Sequence, residues 1–161
     1  MSLPALRAAT NNMYNVNVTS LACVSSGFLP IMHKSKNPKV INITSGLGSI
    51  AYTLTKKMAR YAPYGASKVA VNGVTAHMQV LENDRIEAEQ AEGKPSAGAK
   101  INYYSVAPGL LKTGFTHYSD KGVPPEQGAE AIVQLINDDA NKYLGGTQWE
   151  YVNGKMQEIP W

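Results

Sequence analysis

Tyr64 and Lys68 stand four residues apart in the stretch Tyr64-Gly65-Ala66-Ser67-Lys68. On a helix, residues at i and i+4 share a face. A free phenol titrates near about 10 and is a reluctant acid or base at neutral pH. An ammonium group one turn away favours the phenolate and lowers that value. Pro63, just before Tyr64, marks a helix start, where the macrodipole also favours negative charge. Three features are thus expected to tune one phenol toward proton transfer. Alone, such a pair reads as an ordinary surface Tyr–Lys contact; its surroundings change that.

Ser45 lies just past the end of a short strand, 39–44, where parallel sheets place their chemistry. Its hydroxyl suits a hydrogen bond to a substrate carbonyl, and turn chemistry is its plainer role. Asn17 falls inside a helical stretch, a poor place for asparagine unless it has a task; an exposed or capping side chain is the plainer reading. Pro108 and Gly109 break the chain sharply after a second strand, and Thr113 offers a hydroxyl beyond them. No metal site is expected, because His33, His77 and His117 have no ligand spacing and Cys23 is the single cysteine. Cys23 itself reads as a small buried apolar residue. Trp149, Tyr151 and Trp161 read as core and lid packing, with a substrate-facing aromatic as the sharper role. Glu82, Asp84, Glu87, Glu89 and Glu92 read as a solvated helical face.

The elements that must position these groups follow from periodicity. Residues 4–33 read as a helix on the spacing of Leu6, Met13, Val16, Leu21, Val24 and Phe28, with Pro30 weakening its last turn. Residues 39–44 are rich in β-branched side chains and apolar on both faces, the habit of a central parallel strand. A glycine-serine loop and an irregular stretch lead to a second helix, 63–84, with Val69, Val71, Val74, Met78 and Leu81 as its apolar residues. A polar loop precedes a second strand at 101–108. A long loop, a third helix from Pro125, and a strand, Asn153-Gly154 turn and short return strand close the chain. The alternation predicts an α/β fold: about three strands, mostly parallel, with crossover helices.

Bulk properties narrow the classes. The chain has 161 residues, one domain by length, and a net charge of +3 with its basic residues scattered. No nucleic-acid partner is expected. No apolar run approaches the roughly 20 residues of a membrane span, and no secretory signal is visible. The expected compartment is the cytoplasm, with no membrane partner.

Taken in order, Asn17 in NVNVTS, Ser45 in VINITSGLG, Tyr64 and Lys68 in YGASK, and PGLLKT at 108–113 resemble the C-terminal half of a short-chain dehydrogenase/reductase. The resemblance covers essentially the whole chain. It implies a Rossmann-type sandwich and NAD(P)-dependent oxidation or reduction of a small-molecule alcohol or carbonyl. It makes Tyr64 the general acid/base and Lys68 the residue that lowers the phenol's pKa and holds the nicotinamide ribose. It has Ser45 orient the carbonyl and Asn17 hold a water in the proton relay. Tyr64, Lys68, Pro108, Gly109 and Thr113 are thereby cofactor-binding positions. The 53–60 stretch, TLTKKMAR, looks inserted between Ser45 and Tyr64. In the family, helices corresponding to 4–33 and 63–84 often pair across a subunit interface, which implies a homo-oligomer.

One departure matters. Only 16 residues precede Asn17, so the family's glycine-rich dinucleotide turn and its first strands are expected to be absent from this single 1–161 domain. Residues 46–51 fit G-x-G-x-x-A after a strand. The next strand, however, ends in Val106-Ala107-Pro108 with no acid, and this reading leaves YGASK unexplained. Without the turn, NAD(P) binding by the chain alone is doubtful. Two other functions stay open: a non-catalytic relative docking on full-length subunits, and a cofactor-independent lyase or isomerase using the same Tyr and Ser.

Overall fold

The computed structural model describes residues 1–58, 61–93 and 96–161. Ala59 and Arg60 of the apparent insertion, and Lys94 and Pro95 of the polar loop, lie outside the described residues.

The fold is α/β, as expected. Helix α1 (Leu3–Tyr14) opens with Ser2 accepting from the Ala5 amide and Pro4 in the first turn. It runs through a π-helical segment, Asn15–Thr19, into α2 (Ser20–Met32). Strand β1 (Lys39–Ile43) follows, then a 3-10 turn at Gly46–Gly48, α3 (Ile50–Thr55) and the long α4 (Ala62–Ala91). Strand β2 (Asn102–Val106), α5 (Pro125–Ile136) and the hairpin of β3 (Thr147–Val152) and β4 (Lys155–Ile159) complete it. The sheet order is β1-β2-β3-β4; β1, β2 and β3 are parallel and β4 returns antiparallel to β3. The return strand thus makes four strands where three were counted. The expected irregular stretch after residue 49 contains α3, and the second helix runs seven residues past Asp84, to Ala91.

One face of the sheet is conventional. Tyr104, Val106, Ala131 and Leu135 form a dry core between the sheet and α5, with Ile41, Tyr143 and Trp149 packed against it. Lys39, at the start of β1, donates to the Ile136 and Asp138 carbonyls at 3.0 and 2.8 Å, capping α5's carbonyl end.

The other face corrects the apolar pattern read for α4. Its buried positions are Ser67, Val71, Asn72, Thr75, Gln79 and Glu82, while Leu81 is exposed. The period is helical, but five of these six side chains are polar. Most find partners across the gap, as buried polar groups must, though Ser67 bonds Asn17 instead and Asn72 Oδ1 is left without one among the described residues. Asn42 donates to Thr75 Oγ1 at 2.9 Å, and Ser105 meets the same hydroxyl at 3.1 Å. Gln79 Oε1 accepts from the Tyr103 amide at 2.8 Å.

Glu82 is likewise not part of a solvated face. It is buried, accepts from the Ile101 amide at 3.0 Å, pairs with Arg85 at 2.6 Å, and meets His33 of the chain after α2 at 3.3 Å. Cys23 is exposed rather than buried; Ser25 is the buried position of α2 among the described residues. The helical stretch Leu3–Met32 is long and apolar enough, by length and composition, to cross a membrane, and almost none of its most apolar window is buried. This departs from the expectation that no apolar run spans a membrane; Asn and Ser residues punctuate the stretch and break its apolar run in the sequence.

Glu82 generates a pH prediction. Burial pushes its carboxyl up, but the Arg85 guanidinium, the Ile101 amide and His33 outweigh this and hold it below the ordinary value. A carboxyl depressed in the folded state stabilises above its unfolded pKa and loses that contribution as pH falls through the folded one. Thermal melts from pH 7 to pH 3 should therefore show an acid-side loss that Glu82→Gln flattens. Glu82→Ala should cost about 3 kcal/mol at pH 7, since it leaves Arg85 and the Ile101 amide without their buried partner.

Candidate active site

The site is assembled where β1 ends and α4 begins. Thr44 continues the β1–β2 pairing, its amide donating to the Val106 carbonyl at 2.8 Å. The chain then turns at Ser45, whose extended backbone and Oγ cap the 3-10 turn by accepting from the Leu47 amide at 3.2 Å. Pro63 falls in the first turn of α4, so Tyr64 and Lys68 project from its first two turns on one face.

Ser45, Tyr64 and Lys68 are brought together. The Ser45 side chain stands close enough to the Tyr64 phenol to favour its ionised form. Lys68 Nζ donates to the Ile43 carbonyl at 3.0 Å, at the last residue of β1, and lies 5.8 Å from the centroid of the Tyr64 ring. Thr44 Oγ1 donates to the Lys68 carbonyl at 3.2 Å, so the strand end and the helix are also joined through backbone.

The electrostatics differ from the expectation that lysine lowers the phenol. Burial of the half-buried ring raises the Tyr64 pKa above its ordinary value, and the Ser45 hydrogen bond opposes this only in part. Burial lowers that of Lys68. Desolvation of the charged forms therefore outweighs the helix start and the neighbouring ammonium, whose hydrogen bond goes to a carbonyl rather than to the phenol. At neutral pH the phenol is protonated and is a donor.

Asn17 lies in the π-helical segment, where the helix is locally widened, a geometry found often at functional positions. Its Nδ2 donates to Ser67 Oγ at 3.0 Å, and Ser67 Oγ donates to the Tyr64 carbonyl at 2.7 Å. Asn17 thus reaches the first turn of α4 through Ser67, a fully buried link that sequence reading passed over inside YGASK.

Pro108 and Gly109 follow β2 at the same rim and line a separate cavity of about 240 Å³ with Glu150 and Tyr151. Thr113 caps a short 3-10 turn, Gly114–Thr116, its amide donating to Thr116 Oγ1 at 3.2 Å. Among the described residues no hydrogen bond joins Pro108, Gly109 or Thr113 to Ser45, Tyr64 or Lys68.

Comparison with known proteins places this geometry in context. The family model for short chain dehydrogenases matches residues 4–123. A short-chain dehydrogenase/reductase of Aspergillus fumigatus is 47% identical over 161 residues, covering 99% of this chain and 60% of the relative. A short-chain dehydrogenase of Penicillium roqueforti is 31% identical over 151 residues, covering 88% of this chain and 53% of the relative. Among solved structures, an NADPH-bound carbonyl reductase from chicken fatty liver superposes with a TM-score of 0.71 at 19% identity, over 100% of this chain and 59% of that one. The carbonyl reductase Sniffer of Drosophila melanogaster gives 0.68 at 20% identity, over 100% and 61%. The chain spans about 60% or less of the length of these relatives. A matched family model over most of its length, a relative sharing nearly half its residues and the Ser45–Tyr64–Lys68 grouping agree: the chain belongs to the short-chain dehydrogenase/reductase family.

Proposed function

We propose that this chain carries the acid–base half of an NAD(P)-dependent oxidoreductase acting on a small-molecule carbonyl or alcohol. The observation that carries the reading is the gathering of Ser45, Tyr64 and Lys68 at the carboxyl rim of a parallel sheet, with Lys68 Nζ 5.8 Å from the Tyr64 ring centroid and bonded to the end of β1. The names of the solved relatives, both carbonyl reductases, support the substrate class.

In the reductive direction Tyr64 Oη donates its proton to the carbonyl oxygen, and Ser45 Oγ donates a hydrogen bond to the same oxygen. In the oxidative direction Tyr64 must first lose its proton. The upward shift keeps the phenol protonated at neutral pH, the state from which it can donate to a carbonyl. A bound nicotinamide supplies or accepts the hydride.

The residues present fit one end of such a cofactor. The Lys68 ammonium, part-buried beside the phenol, suits ribose hydroxyls, and the Gly109 backbone, at φ +82° with nothing close to where a Cβ would be, leaves room for a flat ring. The pyrophosphate end is not matched among the described residues. The glycine turn at 46–48 opens onto the six-residue α3, not onto a long helix with free amides.

A second reading is favoured by the exposed apolar side chains Val16, Val24, Phe28 and Ile31 on α1–α2 and Val80 and Leu81 on α4. In it the chain associates with a second copy, or docks on a full-length subunit, through these two helices without turnover of its own. Light scattering after size exclusion should then give a dimer or larger species, and a monodisperse monomer contradicts association with itself.

Two measurements test the catalytic reading. Titrating NADPH into the 161-residue chain, followed by tryptophan quenching, should show no saturable binding in the micromolar range; saturation there would show that the chain needs no further groups for the dinucleotide. In protein that joins these residues to a dinucleotide-binding half, Tyr64→Phe should lower carbonyl reduction by about 10²-fold or more. The rate of alcohol oxidation should climb as pH rises toward the phenol's titration. Unchanged turnover in Tyr64→Phe excludes the acid–base role.

A further inference from the structure

Gln148 is the second residue of β3, a strand interior to the sheet, and has no exposed surface. A buried amide costs free energy unless fully hydrogen-bonded, and an apolar side chain of similar size packs at such a position without that cost. Its partners are specific. Gln148 Nε2 donates to the Ser45 carbonyl at 3.1 Å, and Gln148 Oε1 accepts from Asn72 Nδ2 at 2.7 Å. Asn72 Nδ2 also donates to the Gly48 carbonyl at 3.0 Å.

Two buried amides therefore hold both ends of the Ser45–Gly48 turn. Asn72 is no arbitrary anchor: it lies four residues after Lys68 and eight after Tyr64 on α4, continuing the stripe that carries them. The approach is close enough to require glycine at 48. A Cβ there would meet Thr44 Oγ1 at 2.7 Å, the Lys68 carbonyl at 2.9 Å and Asn72 Nδ2 at 3.0 Å. The far end of the turn is tied as well, Ser49 Oγ donating to the Pro160 carbonyl and the Ala51 amide to the Trp161 carbonyl at 3.2 Å.

We propose that Gln148 and Asn72 are positioning residues that lock the Ser45 turn against helix α4, fixing the Ser45 hydroxyl relative to the Tyr64 phenol. The clamp explains why an interior strand position carries glutamine and why the helix buries an asparagine. The proposal rests on the acid–base reading for its purpose, but the clamp itself is testable without turnover.

The experiment is amide hydrogen exchange by NMR on the 161-residue chain, read at the Leu47 and Gly48 amides, which donate to Ser45 Oγ and the Ser45 carbonyl. Gln148→Met should speed exchange at both by about tenfold or more. Asn72→Ala acts on the same turn from the helix side and should do the same, so the test survives failure of either variant to fold. Gln79→Met is the control: it removes another buried amide of α4, one bonded to Ile101 and Tyr103 at the opposite end of the sheet. Wild-type exchange at Leu47 and Gly48 in the first two variants, or equal acceleration in the control, overturns the clamp.

The link to chemistry is read by titrating the Tyr64 ring carbon, assigned with Tyr64→Phe. Ser45→Ala should move the phenol's titration to higher pH, and Gln148→Met should move it the same way, with no change in Gln79→Met. A response in Ser45→Ala without one in Gln148→Met overturns the positioning role. No response in Ser45→Ala removes the Ser45–Tyr64 contact from the functional reading, while exchange still decides the clamp.

Discussion

Everything at this site depends on how closely α4 lies against the carboxyl rim of the sheet. Tyr64, Lys68 and Asn72 occupy one stripe of that helix, and each addresses the end of β1 or the turn that follows it. Glycine at 48 makes the approach possible, since a side chain there would collide with strand, helix backbone and amide together. Thr44 adds a bond from the strand end to the Lys68 carbonyl. Rigid placement of a few hydroxyls is what acid–base catalysis asks of a scaffold, and here the helix that carries the phenol also grips the serine's turn.

The interface that delivers this precision is polar. Along α4 the buried Asn72, Thr75 and Gln79 exchange hydrogen bonds with the sheet, Glu82 bonds the Ile101 amide just before β2 and Ser67 ties to Asn17, whereas α5 covers the other face with ordinary apolar packing. A polar face fixes register more narrowly than an oily one, because each amide or hydroxyl displaced by a fraction of a turn loses a defined partner. Glu82 shows the cost: it is held ionised under burial only by Arg85, the Ile101 amide and His33.

How much of this could be read from residues alone divides along the same line. The strands, the parallel order, the hairpin at Asn153-Gly154 and the shared helix face of Tyr64 and Lys68 were legible, because β-branched runs, turn residues and i, i+4 spacing are local signals; Ser45 joined them only through the family resemblance. The polar face of α4 was not. Val69, Val74 and Leu81 suggested a core stripe, yet Leu81 is exposed and Gln79 and Glu82 point inward, since their backbone partners Tyr103 and Ile101 lie 24 and 19 residues away. The direction of the Tyr64 shift was also hidden: a neighbouring lysine is visible in sequence, but the burial that outweighs it is not. Ser67 and Gln148 carried no signal beyond being polar within an α/β pattern, and the π-helical segment at Asn15–Thr19 announced itself only as an asparagine out of place.

The central claim is that the Ser45 hydroxyl and the Tyr64 phenol address one oxygen atom. A crystal structure of the protein soaked with a small ketone tests it directly. The account predicts the carbonyl oxygen within hydrogen-bond distance of both Ser45 Oγ and Tyr64 Oη. A ketone bound to one hydroxyl while the other faces a separate space, or the two oxygens too far apart to share a ligand atom, would contradict it.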